Sequence, residues 1–505
     1  MIPPAHLTGE PADAVRRTLD ELADRRIARR YNDKYSLPLE EARSTIRRLN
    51  PDLIAHLTHR AAEYFEAAAR SGNPRRLDGC GDWFNAIDLH IAARNEPHAL
   101  ALMATVDELY LREWGHSDVL MPWLHDLSGR LPGGHSKVLY ASLLGRALVQ
   151  QGRLDEGIAS VYDALDLNRA LKDQENQFVL LGQIAGYRFR AGQIAHATKQ
   201  FEAIIDLAST GYPWVAEARA GLALCQAQIG DLTGASRNIK AAGQDLAGHR
   251  GESRDVSLLE VRLWYSQALI ELEQGTVERC LDTVSQAREI AAELNAVPLI
   301  ARCYDLEARI HLYQNQPGPA RSLAEEAWRT AARIGNPDLC RVAGVTLATA
   351  LLRQSEYDKA LGAARAAARY KRSLFAAEAL AVEGVAAFCA GSAPDQVRLA
   401  FNEANRYAED LLIQENRAYR AREASAIAWV GLALLNLSDD NASDGADFNE
   451  SRALIAYRQA IEGAPFPGAG HRRRELFDIL TAEQAAGTLW RVRKLLSEAS
   501  LSPQL

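Results

Sequence analysis

The sequence predicts an all-α chain built from repeated antiparallel helix pairs. Three observations predict it. In residues 137–165, KVLYASLLGRALVQQGRLDEGIASVYDAL, small and apolar residues mark two helix faces: Leu144, Gly145 and Leu148 on the first, Gly157, Val161 and Ala164 on the second. Small residues at a crossing let two backbones approach closely, and Gly152 between the helices can take the left-handed conformation that ends a helix. Turn residues then recur at Gly152, Gly192, Gly230, Gly275, Asn315, Ser355 and Gly391, at intervals of 40, 38, 45, 40, 40 and 36 residues. Five residues after each of the first six turns stands a small residue: Gly157, Ala197, Ala235, Cys280, Ala320 and Ala360. Four residues later comes Val161, Phe201, Ile239, Val284, Ala324 or Ala364. Unrelated amphipathic helices would not hold that phase from unit to unit.

This pattern resembles the tetratricopeptide (TPR) repeat. The resemblance implies a right-handed TPR-like α-solenoid of about eight helix pairs over residues 131–463. The spacing exceeds the roughly 34-residue TPR period, so the helices or the loops between repeats are longer than usual.

Composition narrows the class further. The chain has 505 residues, 48% of them hydrophobic and 24% charged, enough apolar surface for large buried helix interfaces. A net charge of -7 argues against general nucleic-acid affinity, which needs clustered positive charge, so DNA is not an expected partner. The six cysteines are scattered and form no C-x-x-C pair, which fits reduced, mostly buried thiols in a cytoplasmic protein. The first residues, MIPPAHLTGEPADAVRR, have no apolar core and do not read as a signal peptide. No uncharged run approaches the roughly 20 residues of a membrane span.

Residues 1–50 differ from the rest. AVRRTLDELADRRIA reads as a helix with Val15, Leu19, Leu22 and Ile27 at helical spacing, and residues 26–31 and 34–37 can pair as a hairpin across Asn32 and Asp33. The string LDELADRRIARRYNDKYSLPLEEA resembles the winged-helix segment of STAND-type bacterial signalling ATPases. In that family the segment lies between a nucleotide-binding domain and a helical repeat sensor. This chain starts at Met1 without the nucleotide-binding domain, and it contains no G-x-x-x-x-G-K-[ST] phosphate cradle. Arg25, Arg26, Arg29, Arg30 and Lys34 cluster here, but residues 1–50 hold ten Lys/Arg against eight Asp/Glu, so the cluster reads as a solvated hairpin face.

Residues 51–130 read as irregular helices containing a degenerate first repeat. His56 and His59 lie three apart with His90 further on, yet no acidic or cysteine ligand is spaced to complete a metal site. Near the other end, residues 438–449, SDDNASDGADFN, read as a mobile acidic loop with some potential to bind a partner. Residues 464–505 read as two charged helices that cap the last apolar face of the array.

The TPR resemblance also implies where a ligand would sit, because the first helix of each TPR pair lines the concave surface. It implies a partner-binding set of Arg146, Arg190, Arg262, Tyr265, Arg302, Arg309, Tyr313 and Arg353, with Phe189 and Asp305 beside them. Arginine offers a rigid fork for carboxylates, and tyrosine pairs an apolar ring with a hydroxyl. The expected function is therefore a non-enzymatic protein- or peptide-binding scaffold or sensor in a bacterial signalling system, receiving an acidic segment. The alternative is a TPR-containing transcriptional regulator with a DNA-binding winged helix, controlled by a peptide or small signal. There is no G-x-S-x-G elbow and no H-E-x-x-H, so no catalytic residue, cofactor or metal is expected.

Overall fold

The computed structural model describes residues 17, 20, 29–31, 34–36, 50–207, 213–369, 374–437, 443–485 and 487–501. The chain divides into two compact units: residues 1–151 with 166–171, and residues 152–165 with 172–505.

In the first unit, β1 (Arg29–Tyr31) pairs antiparallel with β2 (Lys34–Ser36), placing Arg30 opposite Tyr35. These are the only strands among the described residues, and they flank Asn32 and Asp33 as the hairpin reading requires. Of the helix expected to precede them only Arg17 and Asp20 are described, both helical, and the rest of the winged-helix segment lies outside the described residues. Then come α1 (Pro51–Ser71), α2 (Gly81–Ala92), α3 (Glu96–Val106), α4 (Met121–Leu127) and α5 (His135–Gln150). Helix α1 starts cleanly because Asn50 Oδ1 accepts the Asp52 amide at 3.0 Å and Pro51 occupies the first turn. Helix α1 packs on α2 and α2 on α3, burying Trp83, Ile87, Leu100, Met103 and Val106. Helix α3 runs on through a π-helical turn, Asp107–Leu111, and Asp107 is fully buried there.

The second unit opens at Gly152 and takes residues 154–165 of α6 (Leu154–Leu171). It continues with α7 (Gln174–Arg190), α8 (Ile194–Leu207), α9 (Pro213–Gln228), α10 (Leu232–Leu246), α11 (Arg254–Gln274) and α12 (Val277–Glu293). Then follow α13 (Val297–Tyr313), α14 (Pro317–Ile334), α15 (Pro337–Arg353), α16 (Tyr357–Ala368), α17 (Ala376–Cys389), α18 (Pro394–Gln414), α19 (Tyr419–Leu437) and α20 (Ser443–Gly463). In the second unit, α7 to α20 make seven consecutive helix pairs. From α7 to α20 each helix packs on the next, and the first helices of successive pairs (α7, α9, α11, α13, α15, α17, α19) also pack on one another. These A helices form one layer of a TPR-like solenoid.

The local signals behave as their chemistry requires. All seven turn residues have positive φ: Gly152, Gly192, Gly230 and Gly275 at 80–81°, Asn315 and Ser355 at 59°, and Gly391 at 67°. Every crossing residue, from Gly157 to Ala360, is buried, and so is its apolar follower. Replacing Ala235, which is wholly buried, by Leu should overpack its crossing and cost about 1–3 kcal/mol. A thermal melt checks this, and an unchanged melting temperature would mean that the crossing has room to spare.

Two expectations are corrected near the end of the chain. The acidic stretch 438–449 is not wholly loop: α20 begins at Ser443. Acidic residues favour a helix N-terminus, and Arg491 fixes this one by donating from Nε to Glu450 Oε2 at 3.0 Å. The charged helices after residue 464 do not both cap the array. Helix α22 (Trp490–Leu501) packs on α20, whereas α21 (Pro467–Thr481) lies across the A helices α11, α13, α15, α17 and α19. Five of the six cysteines are buried and Cys389 is half-buried, all as free thiols. No helix among the described residues is long and apolar enough to cross a membrane.

Candidate functional site

The candidate site is the seat of α21 on the A-helix layer. Its entry is built from backbone. A Cβ on Gly468 would stand 1.9 Å from the Leu272 carbonyl oxygen and 2.7 Å from that of Glu273, so the first turn of α21 rests directly on the end of α11. Just before it, Phe466 packs against the α9–α11 core, and Ala464 and Ala469 are fully buried beside Tyr419. Pro467 meets the turn at Gly275, where an added Cβ would come within 2.9 Å of the proline ring. Further along, Phe477 and Leu480 sink into the apolar core of α15 to α20.

Charge fixes the register. Arg472 donates from Nη1 to Glu273 Oε1 at 2.6 Å and from Nε to Glu423 Oε2 at 3.0 Å. Arg473 donates to Glu423 Oε1 at 2.7 Å and to the Ala460 and Ala464 carbonyls near the end of α20. Tyr419 adds its hydroxyl to Glu273 at 3.2 Å, and Arg420 donates to Glu378 at 2.9 Å. Burial by itself would raise the Glu273 carboxyl, but Arg472, with Arg420 and Arg309 behind it, holds it down at about 2. It is therefore ionised and paired at any ordinary pH.

Two groups on α21 titrate in opposite senses. Burial, helped by Arg474, Arg353 and Arg472, pushes His471 from 6.5 down to about 4. Burial pushes Glu475 from 4.5 up to about 7, against the pull of Arg353, Arg472 and Arg309. Between about pH 4 and 6.5 the unfolded chain protonates His471 and the folded chain does not, so this group makes stability rise with pH. Between 4.5 and about 7 the folded chain keeps the Glu475 proton that the unfolded chain releases, so this group makes stability fall with pH. Over the shared window the two slopes oppose each other. His471→Phe should unmask the second: its stability relative to the parent should fall as pH rises, by up to about 1.4 kcal/mol per pH unit. Glu475→Gln should show the reverse. Urea melts at about pH 5 and about pH 6.5 read this difference, and parallel pH profiles for all three chains would refute it.

The residues expected to line the binding surface are dispersed. Arg309 and Tyr313 of α13 and Arg353 of α15 come together under α21. Arg309 is 3.8 Å from Glu273, the Tyr313 ring stacks on His471 at 4.5 Å, and Arg353 donates to Asn315. Tyr265 is half-buried beside Arg302, Asp305 and Arg309, and burial raises its phenol. Asp305 is buried, which raises its carboxyl, while Arg302 is exposed. Arg262 is 3.7 Å from Glu217. Arg190 is exposed over the Tyr187 ring at 5.5 Å, and Phe189 next to it is half-buried. Arg146 belongs to the first unit, where it is buried and donates to Asp107, so it lines no open surface.

The sequence reading missed the acids Glu273, Glu378 and Glu423 and their partners Arg472 and Arg473. One signal was present. Glu271 and Glu273 stand in the last turn of α11, the end of a helix that disfavours negative charge, which asks for a nearby cation.

The layered helix pairs and the occupied A-helix face define a TPR-like helical-repeat protein. Among solved structures, the chain is similar to a STAND protein with a tetratricopeptide repeat sensor from Pyrococcus horikoshii, at 14% identity over 91% of this chain and 60% of that one, with a TM-score of 0.41. It thus spans 60% of that protein's length. It is also similar to a Rap protein complexed with competence and sporulation factor (14% identity, 83% of this chain and 98% of that one, TM-score 0.39). A further neighbour is yeast Tom70 (12% identity, 97% of this chain and 100% of that one, TM-score 0.34). No family model matches the chain, and no curated protein sequence does.

Proposed function

We propose that this chain is a non-enzymatic repeat scaffold or sensor that binds a polypeptide segment on the A-helix face of its second unit. One observation carries the reading: that face already holds a polypeptide helix, α21, seated by backbone contact at Gly468 and by the pairs Arg472–Glu273 and Arg473–Glu423. A surface that accepts one helix of its own chain has the apolar strip and paired charges that a partner segment needs. Glu475 of α21 lies among Arg309 and Arg353, which supports a visitor of acidic character at that end. The buried thiols argue against covalent chemistry: burial pushes Cys80, Cys225, Cys280 and Cys303 up to about 12 and Cys389 to about 11, far from a nucleophilic thiolate. The strand pair at residues 29–36 supports the winged-helix element of a bacterial signalling role, with the array as its sensor.

A labelled synthetic peptide of residues 464–481 tests the reading by fluorescence anisotropy. It should bind a Gly468→Val chain, whose own α21 is unseated, and be excluded from the parent. The same peptide with both Arg472 and Arg473 replaced by Ala should not compete. A Gly468→Val chain that keeps its helical circular dichroism yet takes up no peptide would refute the proposal. A pull-down from the native host then tests the arginines: Arg262→Ala with Arg302→Ala should recover the parent's partners at lower yield. Equal yield would move the site away from these side chains.

A further inference from the structure

The first unit brings together three side chains that the sequence keeps well apart. Glu66 lies on α1, His90 in the last turn of α2 and His98 on α3, and their ligand atoms all fall within 4.8 Å of one another. His98 Nε2 is 2.8 Å from Glu66 Oε2, and His90 Nε2 is 3.4 Å from the same oxygen. The two imidazole rings are 4.4 Å apart between centroids. His90 is 2% exposed; its Nδ1 has no hydrogen-bond partner, and its Nε2 has only the long 3.4 Å contact to Glu66. A buried imidazole with one nitrogen unpartnered and the other weakly held is costly in a core and is not explained by packing. His59, two helical turns before Glu66 on the same face of α1, brings its ring to 6.2 Å from that of His90.

From this geometry we propose that Glu66, His90 and His98 bind a divalent transition-metal ion of the zinc class, clamping α1, α2 and α3 together. The donor set of two imidazoles and one carboxylate suits zinc, cobalt or copper, not calcium or magnesium, which take oxygen ligands. Zinc bonds of about 2.0–2.1 Å to nitrogen and oxygen put tetrahedral ligand atoms about 3.4 Å apart. The His90–Glu66 separation already has that value. The shorter His98–Glu66 contact is that of a shared proton, which the ion would displace, lengthening the contact slightly. Arg70 donates to the other carboxylate oxygen of Glu66 at 2.9 Å, turning Oε2 toward the histidines as an outer-sphere partner does. Its positive charge lowers affinity for the ion without blocking the site. His98 is 41% exposed along its side chain, so an ion has a way in, and the fourth position is left to His59 or solvent. The early histidine pair contributes only in part, since His56 is exposed and outside the cluster.

The test is titration of the chelator-treated full chain with Zn²⁺ by calorimetry and with Co²⁺ by visible absorption. The parent and a His56→Ala control should each bind one equivalent, with the cobalt form giving the d–d bands of a nitrogen and oxygen site. His98→Gln, at a partly exposed position, and Glu66→Gln, nearly isosteric, should each weaken binding by about tenfold or more. Zn²⁺ should raise the melting temperature of the parent and not of either variant. Three results would overturn the proposal: no uptake by the parent, equal uptake by the variants, or a sulfur-to-cobalt charge-transfer band, which would place the ion on a cysteine.

Discussion

A Gly468→Val chain is expected to lose about 4 kcal/mol or more of stability, a large effect for one glycine. The reason is steric and backbone-based. The added Cβ would fall 1.9 Å from the Leu272 oxygen and 2.7 Å from the Glu273 oxygen, and neither carbonyl can swing aside without opening the end of α11. The alternative is for α21 to retreat, which pulls Phe466 and Ala469 out of their contacts and separates Arg472 from Glu273. Trypsin should then cut at Arg472, Arg473 or Arg474, residues that the seated helix protects. Gly470, two residues on, is the control. Nothing lies within 4 Å of a Cβ there, so Gly470→Ala should be neutral or stabilise the helix by up to about 1 kcal/mol. Similar melts and digestion patterns for the two variants would show that the first turn of α21 is not seated as described.

Arg472→Leu should cost about 3–5 kcal/mol, because it strands a buried carboxylate. Glu423 keeps Arg473 at 2.7 Å, but Glu273 is left with the Tyr419 hydroxyl at 3.2 Å and Arg309 at 3.8 Å. The Glu273 carboxyl, held at about 2 by Arg472, should rise when that partner goes. Stability lost by the variant should therefore be partly recovered by adding Glu273→Gln, which removes the uncompensated charge. Arg472→Lys should not restore the parent value, since one ammonium cannot reproduce a fork that reaches Glu273 and Glu423 together. Denaturant melts of the single and double variants form a cycle. An additive result, with no coupling between positions 472 and 273, would show that the pair does not hold the helix.

What the sequence determined by itself is the repeat: the all-α class, the turn positions and the crossing positions. These are local properties. A residue such as Gly275 or Asn315 takes positive φ to close a turn, and a small residue such as Ala197 must face a neighbouring helix a few residues away in the chain. Each leaves a mark within a window of ten or twenty residues, and the marks stay in phase. What only the tertiary structure decided is the place of α21 and the gathering of Glu66, His90 and His98. HRRRELF reads as a solvated end-cap because its partners are distant: Glu423 is 50 residues from Arg473, and Glu273 is 199 from Arg472. The same remoteness scattered the expected binding residues, turning Arg146 inward to Asp107 and placing Arg309, Tyr313 and Arg353 beneath a helix of their own chain. Charge written along a chain shows how many ion pairs are possible. Which ones form depends on how far the stacked pairs turn between one repeat and the next, and that rotation is set by side-chain packing summed over the whole array.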